Sequence, residues 1–503
     1  MGTLDKVKGL VENPPKEYRS APFWGWNDRL QKENLGEQIE GFKKAGMGGF
    51  FIHSREGLET EYLSTEWMED VKFCVDKARE NDLELWIYDE DKWPSGAAGG
   101  KVSRVNPAEF TARALTMECG KAGEVAVPAK LSTEEERIVT GDSDSLMCGG
   151  NRSVDENSMS GRNGGEDLAV EETMETEFLQ GIYVIQTEAD GRFIKRMKEY
   201  LTYEEAAGAC GVDEEILLLR QEISGKSEWY NGLMPPDNLN PESVKTFLKL
   251  THEHYEEVFG GSFPKEVKGF FTDEPNCCDF FSVFHEGRPW IPWSIGFTEY
   301  FIEKRGYDPQ EKLPYLFFDG EGAEKIRHDY WKTVAQRFEE SYMKQVYEWC
   351  DKRGLRTTGH ILYENDLGYQ TRVCGAAMPQ LRYLHNPGID LLGAQTDEYL
   401  TVKQCASVAH QYERSMTISE AYGCTGWELD FLLRNGWETG SSRLELRDVV
   451  SILPCIPLLA AGRGTIRRFS TIRIPGGMTM IRWRIILVVW RCVFLRVSRC
   501  GRC

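Results

Sequence analysis

Seven short apolar segments punctuate this chain, each ends in polar or charged residues, and most adjoin an amphipathic helical pattern. FWGWN (23–27) precedes a pattern near 30–45 in which Leu35, Ile39 and Phe42 recur at helical spacing, and GGFFIHSREG (48–57) precedes 65–80, with Trp67, Val71, Cys74 and Ala78 on one face. ELWIYDEDKWPSG (84–96) and GFFTDEP (269–275) follow the same rule. RTTGHILYEND (356–366) comes after a long helical pattern at 324–353, GIDLLG (388–393) after 373–385, and MTISEAYG (416–423) after 401–414. Strands that alternate with helices require right-handed crossovers and a parallel sheet. A polar payload after every strand suits a TIM-type (β/α)8 barrel, whose active sites gather at the carboxyl ends of the strands. The pattern supplies seven strands and leaves the eighth missing. A dinucleotide-binding sheet is disfavoured, because AGMGGF (45–50), the nearest glycine-rich run, precedes a strand instead of following one.

The rhythm breaks between about 108 and 240. Residues 141–166, rich in Gly, Ser, Asn and acid, read as a flexible loop. EVAVPA (124–129), GIYVIQTE (181–188) and EEILLLRQEI (214–223) read as strands of a small inserted β domain between the third and fourth barrel strands. The expected organisation is a first barrel portion at 1–107, an insertion at 108–240, the rest of the barrel at 241–431, and a tail at 432–503.

That tail departs from the rest. Beyond Asp448 there is no acidic residue but there are ten arginines, and beyond Lys403 there is no lysine. Out-of-frame codons produce Arg, Cys, Trp and Gly without charge balance. Shifting the frame lets 475–481 read Trp-Trp-Tyr-Asp-Tyr-Asp and 435–440 read Trp-Val-Gly-Asp-Trp. A slip just after Phe431 is the expectation, with an irregular tail and a barrel open where its eighth strand belongs.

Composition narrows the function. A net charge of −20 argues against nucleic acid and anionic membrane as partners, since both need a basic face. The start, MGTLDKVKGL, has no apolar signal-type core, so a cytoplasmic location is expected. The 14 cysteines lack paired spacing, the pattern of reduced thiols. Strand ends contribute His53, then Asp89, Glu90 and Asp91, then Asp273 and Glu274, then His360 and Glu364, Asp390, and Glu420. Trp24, Trp26, Trp93, Tyr363 and Trp427 are expected to line this cup of carboxylates. Paired acids on different strand ends are what glycosidic cleavage requires, one to protonate the leaving oxygen and one to activate water or attack the sugar. Aromatic rings offer a flat surface to the apolar faces of a sugar. A carboxylate after a strand also commonly caps the next helix, a reading open for Asp91 and Asp273.

The motifs APFWGWN, GGFFIHSREGLETEYLS, YDEDKWPSGAAGG, GFFTDEP, GHILYEND, NPGID and SEAYGCTGW together resemble glycoside hydrolase family 106, the α-L-rhamnosidases, over nearly all of residues 15–431. The resemblance implies a TIM-type catalytic barrel and inverting hydrolysis of a terminal sugar, α-L-rhamnose, with Glu274 and Glu420 as the catalytic acid and base in an unassigned order. The strand-end reading, for its part, expects Trp24, Trp26, His53, Asp89, Glu90, Trp93, Asp273, His360, Glu364 and Trp427 to bind substrate. The family also uses calcium in sugar recognition, for which Asp89 and Asp91 would offer hard oxygen ligands. A hydrolase of another sugar, such as a galactoside, and a non-catalytic carbohydrate-binding barrel are the alternatives. Other motifs carry less. THEH (251–254) is expected on a helix surface, Cys277-Cys278 as a structural thiol pair, and Lys92 is the sole feature favouring Schiff-base chemistry.

Overall fold

A computed structural model describes residues 13–125, 177–277, 288–391, 399–421, 423 and 449–455. Its strands, in chain order, are β1 (Ala21–Trp26), β2 (Gly49–Ser54), β3 (Glu84–Tyr88), β4 (Arg113–Gly120), β5 (Glu177–Thr187), β6 (Ile194–Tyr200), β7 (Glu215–Ile223), β8 (Val267–Asp273), β9 (Trp290–Trp293), β10 (Arg356–His360), β11 (Asn386–Leu391), β12 (Thr417–Ala421) and β13 (Val449–Cys455). They form two sheets in a mixed α/β architecture.

The first sheet is parallel and curled, in the order β1-β13-β12-β11-β10-β8-β3-β2, with β1 also bonded to β2. The seven strands read from the sequence are all here. The eighth corrects the expectation of an open barrel. β13 pairs Val449 with Thr417 on β12 and Ile452 with Ala21 on β1. Its VVSIL run is rich in β-branched residues, and the facing edges of β1 and β12 each need hydrogen-bond partners. Residues 432–448 and 456–503, where the rest of the expected irregular tail falls, lie outside the described residues, as do 141–166.

Helices occupy the connections. Lys32–Lys44 follows β1 and Thr65–Asn81 follows β2. Ala323–Phe338 runs on through Glu339–Met343 and Lys344–Asp351 toward β10. Leu367–Cys374 and Ala377–Leu381 precede β11, and Leu400–Gln411 precedes β12. Thr65–Asn81 shows why these helices form where the sequence places them. The Ser64 hydroxyl accepts from the Trp67 amide at 3.2 Å, and Asp82 ends the helix in the left-handed region at φ 51°. Between those caps Trp67, Val71, Cys74 and Ala78 are all buried. Full burial of a large apolar side chain contributes about 1.5–3 kcal/mol relative to exposure. THEH is a correction: His252 is buried, its ring 4.1 Å from Phe270, because this turn packs against β8 rather than facing solvent.

Inside the curled sheet, strand alternation sorts the side chains. Ala21, Phe23, Phe51, Trp86, Tyr88, Phe271 and Ile418 form one buried cluster. Phe23 meets Phe271 edge to face at 4.7 Å. The strands approach closely at Gly359, whose φ is +144° and where an added Cβ would lie 1.9 Å from the Thr272 carbonyl oxygen. Gly359→Ala is expected to destabilise the fold by about 1–3 kcal/mol through overpacking. An unchanged urea midpoint would contradict this packing.

A second compact unit gathers Asn106–Lys226 and Cys278–Thr333, where the sequence reading takes one insertion at 108–240. Its sheet is antiparallel, ordered β6-β5-β7-β4-β9. The strands expected at 181–188 and 214–223 are β5 and β7. The one expected at 124–129 is corrected in part: 121–125 form a turn around Gly123 (φ +87°), and 126–129 lie outside the described residues. Ile182, Val184, Ile216 and Leu218 build its core. Among the described residues, Cys74, Cys119, Cys210, Cys277, Cys350, Cys374 and Cys405 form no disulfide, and no helix is long and apolar enough to cross a membrane.

Candidate active site

The last inward positions of neighbouring strands converge above the aromatic cluster. His360 ends β10, and its Nε2 lies 3.1 Å from Asp273 Oδ1 at the end of β8 and 3.1 Å from Glu420 Oε2 on β12. The imidazole is almost wholly buried, whereas the Glu420 side chain keeps 17% of its surface exposed. Burial alone would keep His360 neutral. The Asp273 carboxylate, the hydrogen bond to Glu420 and the charges of Asp390 and Glu420 outweigh it and raise the imidazole well above its ordinary range. Asp273 is fixed from its other side by the Tyr88 hydroxyl, which donates to Oδ2 at 2.6 Å. Burial first, then the neighbouring Glu420, pushes Asp273 up to about 6, against the pull of His360.

Glu274 follows immediately in the left-handed region at φ 47°, an uncommon conformation for a side chain of this kind. The kink turns a second carboxyl into the same cup, within 4.8 Å of a His360 nitrogen and of an Asp390 oxygen. Burial, then Asp273, push Glu274 up to about 8, with Glu420 and Glu364 adding to the rise. Asp390 is raised well above the carboxylate range by burial and by Glu420. Glu364 serves the frame: its Oε2 accepts from the Asp390 amide at 2.9 Å. The cup therefore holds both a carboxyl that keeps its proton at neutral pH and a carboxylate gripped by an imidazolium. Such a pair can protonate a leaving oxygen and deprotonate a water.

One wall is aromatic. His53, the last inward residue of β2, stacks on Tyr88 at 3.7 Å with planes 8° apart. Burial, then the Arg55 charge, hold His53 well below its ordinary range, so it is neutral. Trp93 lies under the Arg55 guanidinium at 4.8 Å. Arg55 and Tyr88 were absent from the residues expected to act. Arg55 was legible as the charge that follows the strand in HSREG, whereas Tyr88 was hidden within an apolar run.

Four expected substrate contacts sit elsewhere. Trp24 and Trp26 alternate with Phe23 and so face outward. Trp24 packs between Phe42 and Phe50 and donates its indole N–H to Gln38 at 2.8 Å, and Trp26 meets Trp67 at 4.9 Å. Asp89 is fully buried, accepting from Ser95 at 2.6 Å, and burial raises it well above the carboxylate range. Glu90 is also fully buried, and its two oxygens accept from five backbone amides, those of Asp91, Gly96, Ala97, Ala98 and Gly99. It is the clamp that shapes the 91–99 loop. Trp427 lies outside the described residues. Asp91, offered with Asp89 as a hard oxygen ligand, accepts from Ser54 at 2.6 Å and from Asn231 at 2.9 Å.

No family model matches the sequence, and no curated relative matches it. Among solved structures the chain is similar to a rhamnosidase from Novosphingobium sp. PP1Y, with a TM-score of 0.58 and 13% identity over 96% of this chain and 60% of that one. A cycloalternan-degrading enzyme from Trueperella pyogenes aligns with 98% of this chain and 52% of its own, at 7% identity and a TM-score of 0.35. The chain thus spans about 60% of the length of the rhamnosidase, and the likeness to it is one of fold.

Proposed function

We propose that this chain is a glycoside hydrolase of the family 106 type, built on a TIM-type barrel and releasing a terminal α-L-rhamnose with inversion. The observation that carries this reading is the pairing of Glu274, held protonated up to about pH 8, with Glu420, held at 3.1 Å by His360, in one cup at the strand ends. Glu274 donates its proton to the glycosidic oxygen. Glu420 accepts the proton of the attacking water, and His360 keeps its lone pair aimed. Inverting enzymes separate two such groups by roughly 6.5–9.5 Å to admit that water. The sugar identity and the inverting course rest on the motif resemblance, and the fold of the Novosphingobium rhamnosidase is in keeping with them.

The test is an aryl α-L-rhamnoside followed by proton NMR, with an aryl galactoside run beside it. The β-anomer of rhamnose should be formed first. Initial α-anomer would overturn inversion, and turnover of the galactoside alone would overturn the sugar. A pH profile gives a second check. An acid with a pKa near 8 is protonated below that value, so activity falls as pH rises through about 8. That alkaline limb should vanish in Glu274→Gln, leaving a low, flatter profile.

A further inference from the structure

The cup is lined with acids, yet its rim carries a cation whose side chain has no hydrogen-bond or ion-pair partner among the described residues. Arg55 follows β2, and its stem runs over Gly25, where an added Cβ would come within 3.1 Å of the arginine Cγ. The guanidinium then lies over the Trp93 ring at 4.8 Å. Trp93 is itself braced: the Trp229 ring meets it at 4.6 Å and 81°, and the Trp229 indole N–H donates to the Trp93 carbonyl. The neighbouring cation, Lys92, is already paired with Glu56 at 3.0 Å. A guanidinium laid on an aromatic face keeps its in-plane N–H donors for a planar anion, and this geometry favours bidentate binding. The Arg55 charge also reaches the floor of the cup, where it acts on His53, Tyr88 and Asp273.

We infer that Arg55 on Trp93 is a subsite for an anionic sugar, so the substrate carries a carboxylate or sulfate group on the unit adjoining the one released. The inference rests on the glycosidase reading for the released unit, but the binding step does not require turnover. An unpaired arginine above an acidic cup has a second use, to balance the charge of the carboxylates without touching substrate. The two uses separate cleanly. Charge balancing affects every ligand alike, whereas an anion subsite discriminates between a charged ligand and its neutral twin.

The experiment uses the full chain and three disaccharides: α-L-rhamnosyl-glucuronic acid, its methyl ester, and a rhamnosyl-glucose bearing a sulfate ester. Affinities are measured by calorimetry in wild type and in Arg55→Met, with kcat/KM recorded alongside. A charge-assisted pair should favour the acid over its ester by roughly tenfold or more. That ratio should fall toward one in Arg55→Met and shrink with added salt. Preference for the sulfated disaccharide over the uronic acid would assign the anion as sulfate. An acid-to-ester ratio near one in wild type, a ratio unchanged in Arg55→Met, or no binding of any of the three overturns the subsite. Binding preference without hydrolysis of any of them keeps the subsite and sinks the glycosidase reading instead.

Discussion

Under the proposed function, Glu274→Gln should lower kcat on an unactivated rhamnoside by about 10²–10⁴-fold, the usual contribution of a positioned general acid. The substitution preserves size and removes only the proton that the cup holds up to about pH 8. Its loss should fall hardest on substrates whose leaving oxygen needs protonation and be much smaller on a nitrophenyl glycoside, whose phenolate departs unaided. That contrast identifies the acid, because loss of the base Glu420 slows both substrates together. Equal losses on the two substrates would assign Glu274 to another role. Full activity in the variant would remove Glu274 from the catalytic machinery, whereas sugar affinity without turnover in both wild type and variant would return the protein to a sugar-binding barrel. The fold should survive, and an unchanged unfolding midpoint is the control.

Glu90→Ala should have the largest effect on stability. Five amide N–H groups, at 2.6 to 3.1 Å from the carboxylate, lose their acceptor at once in a fully buried place. Each unsatisfied buried donor costs about 1–3 kcal/mol, so the sum approaches the 5–15 kcal/mol that holds a typical domain together. Burial pushes the Glu90 carboxyl up to about 7, while the amides of Asp91, Gly99 and Ala98 pull it down. Glu90→Gln should also be destabilised, since an amide nitrogen would oppose some of the same donors. Both variants should lose soluble yield or melt well below wild type. A wild-type melting point in Glu90→Ala would refute the clamp. If Glu90 instead bound substrate, as its place beside Asp89 and Asp91 suggests in the sequence, affinity would fall and stability would not.

Much of this was legible because strand and helix periods are local. The helix at Thr65–Asn81 and the seven strands follow from apolar spacing, and the carboxylates at the ends of β8 and β12 follow from where each apolar run stops. Which face a residue takes was harder. FWGW is apolar throughout, so alternation cannot be read from it, and Trp24 and Trp26 were placed in the cup although only Phe23 points inward. The three acids of YDED look alike in sequence. Only the five amides from the following loop distinguish Glu90 as a clamp. The second unit joins segments on either side of β8, and pairing of β4 with β9 is a tertiary fact that no local pattern carries. The eighth strand was missed because the basic composition around it outweighed the short β-branched run VVSIL.

Closure of the curled sheet ties Ala21 to Ile452, partners about 430 residues apart. At a synthesis rate of roughly 5–20 residues per second, the free edge of β1 waits on the order of 20–90 s for its neighbour to leave the ribosome. Until then β1 presents unpaired backbone groups beside apolar side chains, the arrangement most prone to join the wrong strand. The nascent chain should therefore be sensitive to crowding and to chaperone supply at a stage when most of its own helices are already made. Truncation before Val449 should leave that edge unpaired for good and send the product to aggregates.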